Sequence, residues 1–145
     1  MVDKIIQVVE LERTLLNELL EIVLKQQSSL VKLRIAELAE LSNYQEEISK
    51  KIRSLELSRL NMVASYLSIS RSEASTITMS ELAKYVNHDD SEKLLKLRDS
   101  MKEIHTKLYN GLLTNRLLAN RARVSFGNIL SIVTNGSNQI YNVEI

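Results

Sequence analysis

Apolar residues recur at steps of three and four along three long stretches of the chain, and the pattern lapses between the second and the third. In the first, from Asp3 to about Ser28, Val8, Leu11, Leu15, Leu19 and Ile22 form a stripe widened by Val9, Leu16, Leu20 and Val23. An apolar arc this broad predicts a helix packed against two neighbours. Gln26-Gln27-Ser28-Ser29 is a polar dip, where the helix either bends or continues with weaker packing. The second stretch, from about Leu30 to Leu67, runs through Leu41, Tyr44, Ile48, Ile52, Leu55, Met62 and Tyr66. Its gaps alternate near three and four, as in a coiled-coil seam, with Arg59 at one seam position. The outer face (Glu46, Glu47, Lys50, Lys51, Arg53) is charged and reads as solvated.

Ser68 to Thr78 is rich in Ser and Thr without apolar period, and reads as a linker. Thr78 and Glu81 form a capping box that opens a short helix, Met79 to about Val86, and Asn87-His88 turns the chain. Asp89 with Glu92 then reads as the start of the longest helix, and Asn135-Gly136 as its stop. Gly111 only weakens that helix and no proline interrupts it, so it would be about 70 Å long. Leu94, Leu97, Met101, Ile104, Leu108, Leu112, Leu118, Ala122, Phe126, Ile129 and Val133 make its seam. In its first half the opposite side is polar (Arg98, Asp99, Lys102, Thr106); in its second half Leu113, Leu117 and Val124 fall there instead. One apolar face is enough to dock on a bundle, and a second invites another partner. The tail from Ser137, with Ile140, Tyr141 and Val143, has no helical period and is expected to be flexible.

The expected fold is all-α, an elongated antiparallel helical bundle or coiled coil of three long helices plus a short one. Residues 1–145 are expected to form a single domain: a hairpin or bent helix over 1–67, linker and short helix over 68–88, the long helix over 89–136, and the tail 137–145. Composition agrees, with one Phe, no Trp, no Pro and three Gly beside abundant Leu, Ile, Glu and Lys. The absence of cysteine removes disulfides and thiolate chemistry and fits a cytoplasmic protein. The first ten residues carry Asp3 and Glu10 around a short apolar run, so no signal peptide is expected, nor any membrane span. His88 and His105, the only histidines, fall in a turn and on a helix flank. No HExxH, glycine-rich phosphate loop or GxSxG occurs, and the adjacent carboxylates Glu46-Glu47 and Asp89-Asp90 serve a solvated face and a helix start. No enzymatic activity, cofactor or metal is expected.

Between Glu103 and Glu144 no acidic residue occurs, while Lys107, Arg116, Arg121 and Arg123 supply four positive charges and seven asparagines are interspersed. Favourable positive charge toward a helix C-terminus accounts for part of this. With chance composition that is one full reading, and a docking surface for a partner with acidic or amide-rich helices is the other. With a net charge of +1 and few aromatics, nucleic acid is not expected as a partner.

A long helical N-terminal portion, a Ser-rich break, and a last helix with an Asn-x-x-Leu segment and a Tyr-bearing tail together resemble the FlgN family of flagellar export chaperones. The residues that carry the resemblance are Asn115-Arg116-Leu117-Leu118, then Arg123 and Phe126, then the run from Asn135 to Tyr141. The resemblance implies a cytoplasmic chaperone that holds the C-terminal helices of hook-associated (hook–filament junction) proteins before type III export. It places client binding on the C-terminal helix, here Tyr109, Leu113, Asn115, Leu117, Leu118 and Val124. It associates the tail tyrosine, Tyr141, with the export gate, where family tails often continue with glycine and this one continues with Asn142. A monomer or weak homodimer is expected. The competing expectation is a structural or adaptor coiled coil that self-associates through its C-terminal helix, using the same stripe.

Overall fold

The first long helix is the spine on which the other two lie. The computed structural model describes residues 1–126, with side chains to Val124, and contains α1 (Val2–Val31), α2 (Ile35–Leu67), α3 (Arg71–Ala74), α4 (Met79–Leu82), a 3-10 turn (Ala83–Tyr85) and α5 (His88–Phe126). No strand occurs among the described residues, and the fold is an all-α bundle. α1 packs along both α2 and α5, whereas no Cα of α2 comes within 8 Å of one in α5. The broad apolar arc of α1 therefore serves two neighbours, as its pattern requires. Contacts of Glu12 with Arg59 and of Gln26 with Gln45 set α1 and α2 antiparallel. Val23 meets Gly111 and Asn115, and further along Leu30 clusters with Ala119, so α5 runs parallel to α1. α3 packs on α2, and α4 with the 3-10 turn packs on α5, so these short elements link the two outer helices.

Local chemistry sets the boundaries. The polar dip does not break α1, which continues to Val31 with Gln26 and Ser29 buried and Gln26 Nε2 donating to Gln45 Oε1 at 2.7 Å. The turn comes at Lys32–Arg34, with Leu33 in the left-handed region (φ 55°) and Arg34 N–H donating to Ser29 O. α2 likewise ends on a left-handed residue, Ser68. Thr78 Oγ1 accepts from Glu81 N–H at 3.2 Å and caps α4, which gives way to the 3-10 turn after Leu82. The linker contains one further turn of helix, α3, capped by Ser70 Oγ on Glu73 N–H. α5 starts one residue earlier than Asp89: Asn87 Oδ1 accepts from Asp90 N–H at 2.8 Å, and Asn87 Nδ2 donates back to Asp90 Oδ2. Asn87 has the short amide side chain that suits an N-cap, and this leaves Asp89 exposed in the first turn. The helix stop at Asn135-Gly136 and the seam positions Phe126, Ile129 and Val133 lie outside the described residues or side chains.

Two seams differ from the apolar pattern. Leu11 and Tyr44 are each about half exposed, and the positions turned inward next to them are Glu12 and Gln45. Glu12 is wholly buried, with Arg59 Nε donating to its Oε1 at 3.0 Å and Glu56 close by. Burial pushes the Glu12 carboxyl up to about 7, against the opposing pull of Arg59, and the Glu56 carboxyl is raised for the same reason. The polar residues divide the core. A large apolar cluster (Ile5, Val9, Leu16, Ile52, Leu94 and Met101 among its members) fills the end where α5 begins. Among the described residues, the end near the α1–α2 turn holds a small apolar cluster of Leu30, Leu38 and Ala119 with Leu118, beside buried Gln26, Ser29, Gln45, Ser49 and Asn115.

Candidate functional site

The second half of α5 lies against the poorer end of the core, and its side chains are sorted accordingly. Small and polar groups face α1: Gly111, Asn115, Ala119 and Ala122 are buried. Of the large apolar groups, Leu108 and Leu112 are buried, while Tyr109 is 59%, Leu113 40%, Leu117 65% and Val124 91% exposed. At 100° per residue, Leu113, Leu117 and Val124 point about 140–180° from the direction of Leu108. Tyr109 instead projects within about 20° of Arg98. Arg98 Nη1 donates to Ser80 Oγ at 2.7 Å, so Tyr109 continues the flank of α5 that α4 covers lower down. Beyond α4 that flank has no cover among the described residues.

Charge accompanies the apolar stripe. Lys107 pairs with Glu103 at 3.1 Å, but among the described residues no carboxylate pairs with Arg116, Arg121 or Arg123. The exposed side of α5 beyond Glu103 is therefore apolar down its middle with three unneutralised guanidinium groups beside it. That surface fits an amphipathic helix carrying acidic or amide side chains, in the helix-on-groove mode.

Of the six residues expected to bind a partner, Tyr109, Leu113, Leu117 and Val124 are brought to one exposed side of α5. Leu118 is half-buried against Leu30, Leu38 and Ala119, and so presents an edge. Asn115 is withdrawn: it is 1% exposed, and its Nδ2 donates to the Val23 carbonyl at 2.9 Å. Its contribution is to hold α5 on α1, because a buried amide that lost this bond would carry an uncompensated desolvation cost of about 1–3 kcal/mol. We therefore remove Asn115 from the contact surface. Tyr141 lies outside the described residues. No motif in the sequence marks the Glu12–Arg59 contact; the only signal was two opposite charges at inward positions of neighbouring helices.

Among the described residues no group of three or more His, Cys, Asp or Glu side chains converges as a metal site, and no helix is long and apolar enough to cross a membrane. The family model described as FlgN protein matches residues 1–144. The chain belongs to the FlgN family. The match takes in the described bundle and nearly all of the tail, so the resemblance carried by Asn115 to Leu118 and by Asn135 to Tyr141 extends over the whole length. The chain matches no curated relative and no solved structure. Membership places it among flagellar export chaperones that act on hook-associated proteins, a family of binding proteins and not of enzymes.

Proposed function

We propose that this FlgN-family chain is a cytoplasmic chaperone that binds the C-terminal helices of a hook-associated protein along the exposed side of α5, prevents their premature assembly, and delivers the client to the flagellar type III export apparatus. The observation that carries the reading is that the second half of α5 buries Leu108 and Leu112 but turns most of its large side chains outward. Gly111, Ala119 and Ala122 face the bundle, while Tyr109, Leu113, Leu117 and Val124 face out. A helix serving only its own fold would place the large groups inward, because burying each of them gains about 1.5–3 kcal/mol. An exposed apolar stripe of this length is an interaction surface.

The test uses Leu117→Asp combined with Val124→Asp. Both side chains project away from the bundle, so the melting temperature of the client-free protein should change by no more than about 2 °C, as for ordinary surface changes. Affinity for a peptide spanning the client's terminal helices, read by calorimetry, should fall at least tenfold, about 1.4 kcal/mol. Unchanged affinity would sink the reading. The native protein should also sediment as a monomer that forms a one-to-one complex with client; a stable homodimer that the double variant dissolves would favour the self-associating coiled coil instead.

Delivery is assigned to the tail. Tyr141→Ala is expected to leave client affinity unchanged while lowering client secretion, since one rigid ring supplies much of a small recognition surface. Secretion at the native level from cells carrying only this variant would remove Tyr141 from the delivery step.

A further inference from the structure

The turn between α1 and α2 carries side chains that a surface turn does not call for. Val31 is two-thirds exposed, Leu33 and Ile35 nearly half, and the residues between them are Lys32 and Arg34. Apolar and cationic side chains therefore alternate over five consecutive exposed residues, where turns ordinarily take glycine, asparagine or serine. None of the three apolar residues belongs to the cluster at this end of the core, which is Leu30, Leu38 and Ala119 with Leu118. Leu33 also holds a left-handed backbone (φ 55°), a conformation that glycine takes without a β-carbon penalty. Neither local geometry nor the core accounts for a leucine there.

The charge of this end is equally uneven. α5 runs parallel to α1 and Ala119 clusters with Leu30, so Arg116, Arg121 and Arg123 lie at the same end as the turn. Residues 25–44 and 115–126 together carry six cations, Lys25, Lys32, Arg34 and these three arginines, against two carboxylates, Glu37 and Glu40. That excess is larger than the +1 of the whole chain, so the remainder of the molecule is net negative. Glu37 pairs with Arg34 at 3.6 Å, an exposed pair already counted in the balance.

A tight turn at the end of a helical hairpin is convex, and a convex apolar tip suits a yielding surface better than a partner of fixed shape. Anionic lipid headgroups over an acyl boundary are such a surface. Apolar side chains settle below headgroup level while the cations between them stay with the phosphates. The field of the cationic end also turns the bundle so that its tip faces the bilayer. We propose that this end of the bundle docks on the surface of an anionic phospholipid bilayer, with Val31, Leu33 and Ile35 at the acyl boundary and Lys32, Arg34 and the α5 arginines against the headgroups. The docking is peripheral, since no helix among the described residues is long and apolar enough to cross a membrane. The arginines are shared with the α5 stripe and the tip residues are not, which separates the two surfaces experimentally.

The test is flotation of the client-free, full-length protein with vesicles of phosphatidylcholine alone or of phosphatidylcholine and phosphatidylglycerol in equal parts. Binding to the anionic vesicles should be at least tenfold stronger. It should be lost as salt rises from about 0.1 M to about 1 M, which shortens the Debye length from about 10 to about 3 Å. Val31→Ser, Leu33→Gly and Ile35→Ser combined should weaken it at least tenfold with the melting temperature held, because all three positions are exposed and glycine suits the backbone at 33. Leu117→Ser with Val124→Ser, which trims the α5 stripe without changing charge, should leave it within about twofold of native. The proposal is overturned if both vesicles are bound alike or neither is bound, if salt has no effect, or if the tip variant floats like the native protein. It is equally overturned if the stripe variant is the one that lets go. Poly-glutamate distinguishes an acidic protein partner: if it binds the native protein and the tip substitutions abolish that binding too, the tip is a protein contact and the lipid assignment falls. No client is present in these measurements, so their failure leaves the α5 reading standing.

Discussion

Replacing Arg59 by methionine is expected to destabilise the fold by about 3–5 kcal/mol at pH 8 and by much less at pH 5. Glu12 is wholly buried, and its one short charged contact among the described residues is with Arg59 at 3.0 Å. Taking that guanidinium away leaves a carboxylate in the core with nothing to offset its lost hydration. At pH 5 the group takes up a proton and most of the penalty disappears. The native protein should show the same linkage in milder form. The Glu12 carboxyl titrates near 7 when folded and at 4.5 as a free side chain, so between those values the folded state binds the extra proton. Stability contributed by this group is therefore complete below about pH 4.5, falls as pH rises toward 7, and is flat above it. The total change is on the order of 3 kcal/mol, and Glu56, raised in the same direction, adds to it. Urea melts of both proteins across pH 4.5–8 measure both effects. A pH-independent loss in Arg59→Met would show that packing, not charge, was removed. The double replacement Glu12→Leu with Arg59→Met should recover the native stability or exceed it, because hydrophobic pairs replace buried ion pairs at little cost.

Gly111→Leu should cost at least about 3 kcal/mol, at the upper end of what overpacking produces. A β-carbon added at Gly111 would already stand 2.9 Å from Val23 Cγ1, inside van der Waals contact. A leucine there has nowhere to go except between α1 and α5, and it would also pull the Asn115 amide away from the Val23 carbonyl. Gly111→Ala poses a sharper question, since alanine favours the helix by about 1 kcal/mol over glycine. The contact with Val23 should outweigh that gain, and Val23→Ala in the same chain should restore it. Additive effects in the Gly111→Ala, Val23→Ala cycle, read from thermal melts, would show that the two residues do not compete for one space. The consequence for the site is direct: with α5 displaced, the exposed stripe would lose its fixed relation to the flank held by α4.

The elements themselves were legible because periodicity alone reports them. The three long apolar patterns and the Thr78–Glu81 cap are local signals, and helices occupy them as far as the described residues extend. The double demand on α1 was legible too, since only a helix with two neighbours gains by so wide an arc. The cap of α5 was off by two residues because Asp89 and Asn87 are both good caps, and the choice falls to which one can reach its third residue onward. Family membership was carried by the last thirty residues and is borne out over residues 1–144.

What the sequence determined by itself is the class of structure: helices at these places, with a surplus apolar stripe at Leu113, Leu117 and Val124. What only the tertiary structure decided is which of two adjacent residues turns inward where a seam meets a real partner. Glu12 goes in and Leu11 stays half exposed; Gln45 goes in and Tyr44 stays out. An apolar pattern cannot foresee this, because a polar side chain becomes admissible to the core only when a complementary group stands opposite, and that group lies 47 residues away for Glu12 and 19 for Gln26. Gly111 and Asn115 follow the same rule. One looked like a weak point in a helix and the other like a surface contact, and the close approach of α1 gives both their roles. Local periodicity fixes the direction of each side chain about its own helix, but the distance and chemistry of the neighbouring helix determine what that direction holds.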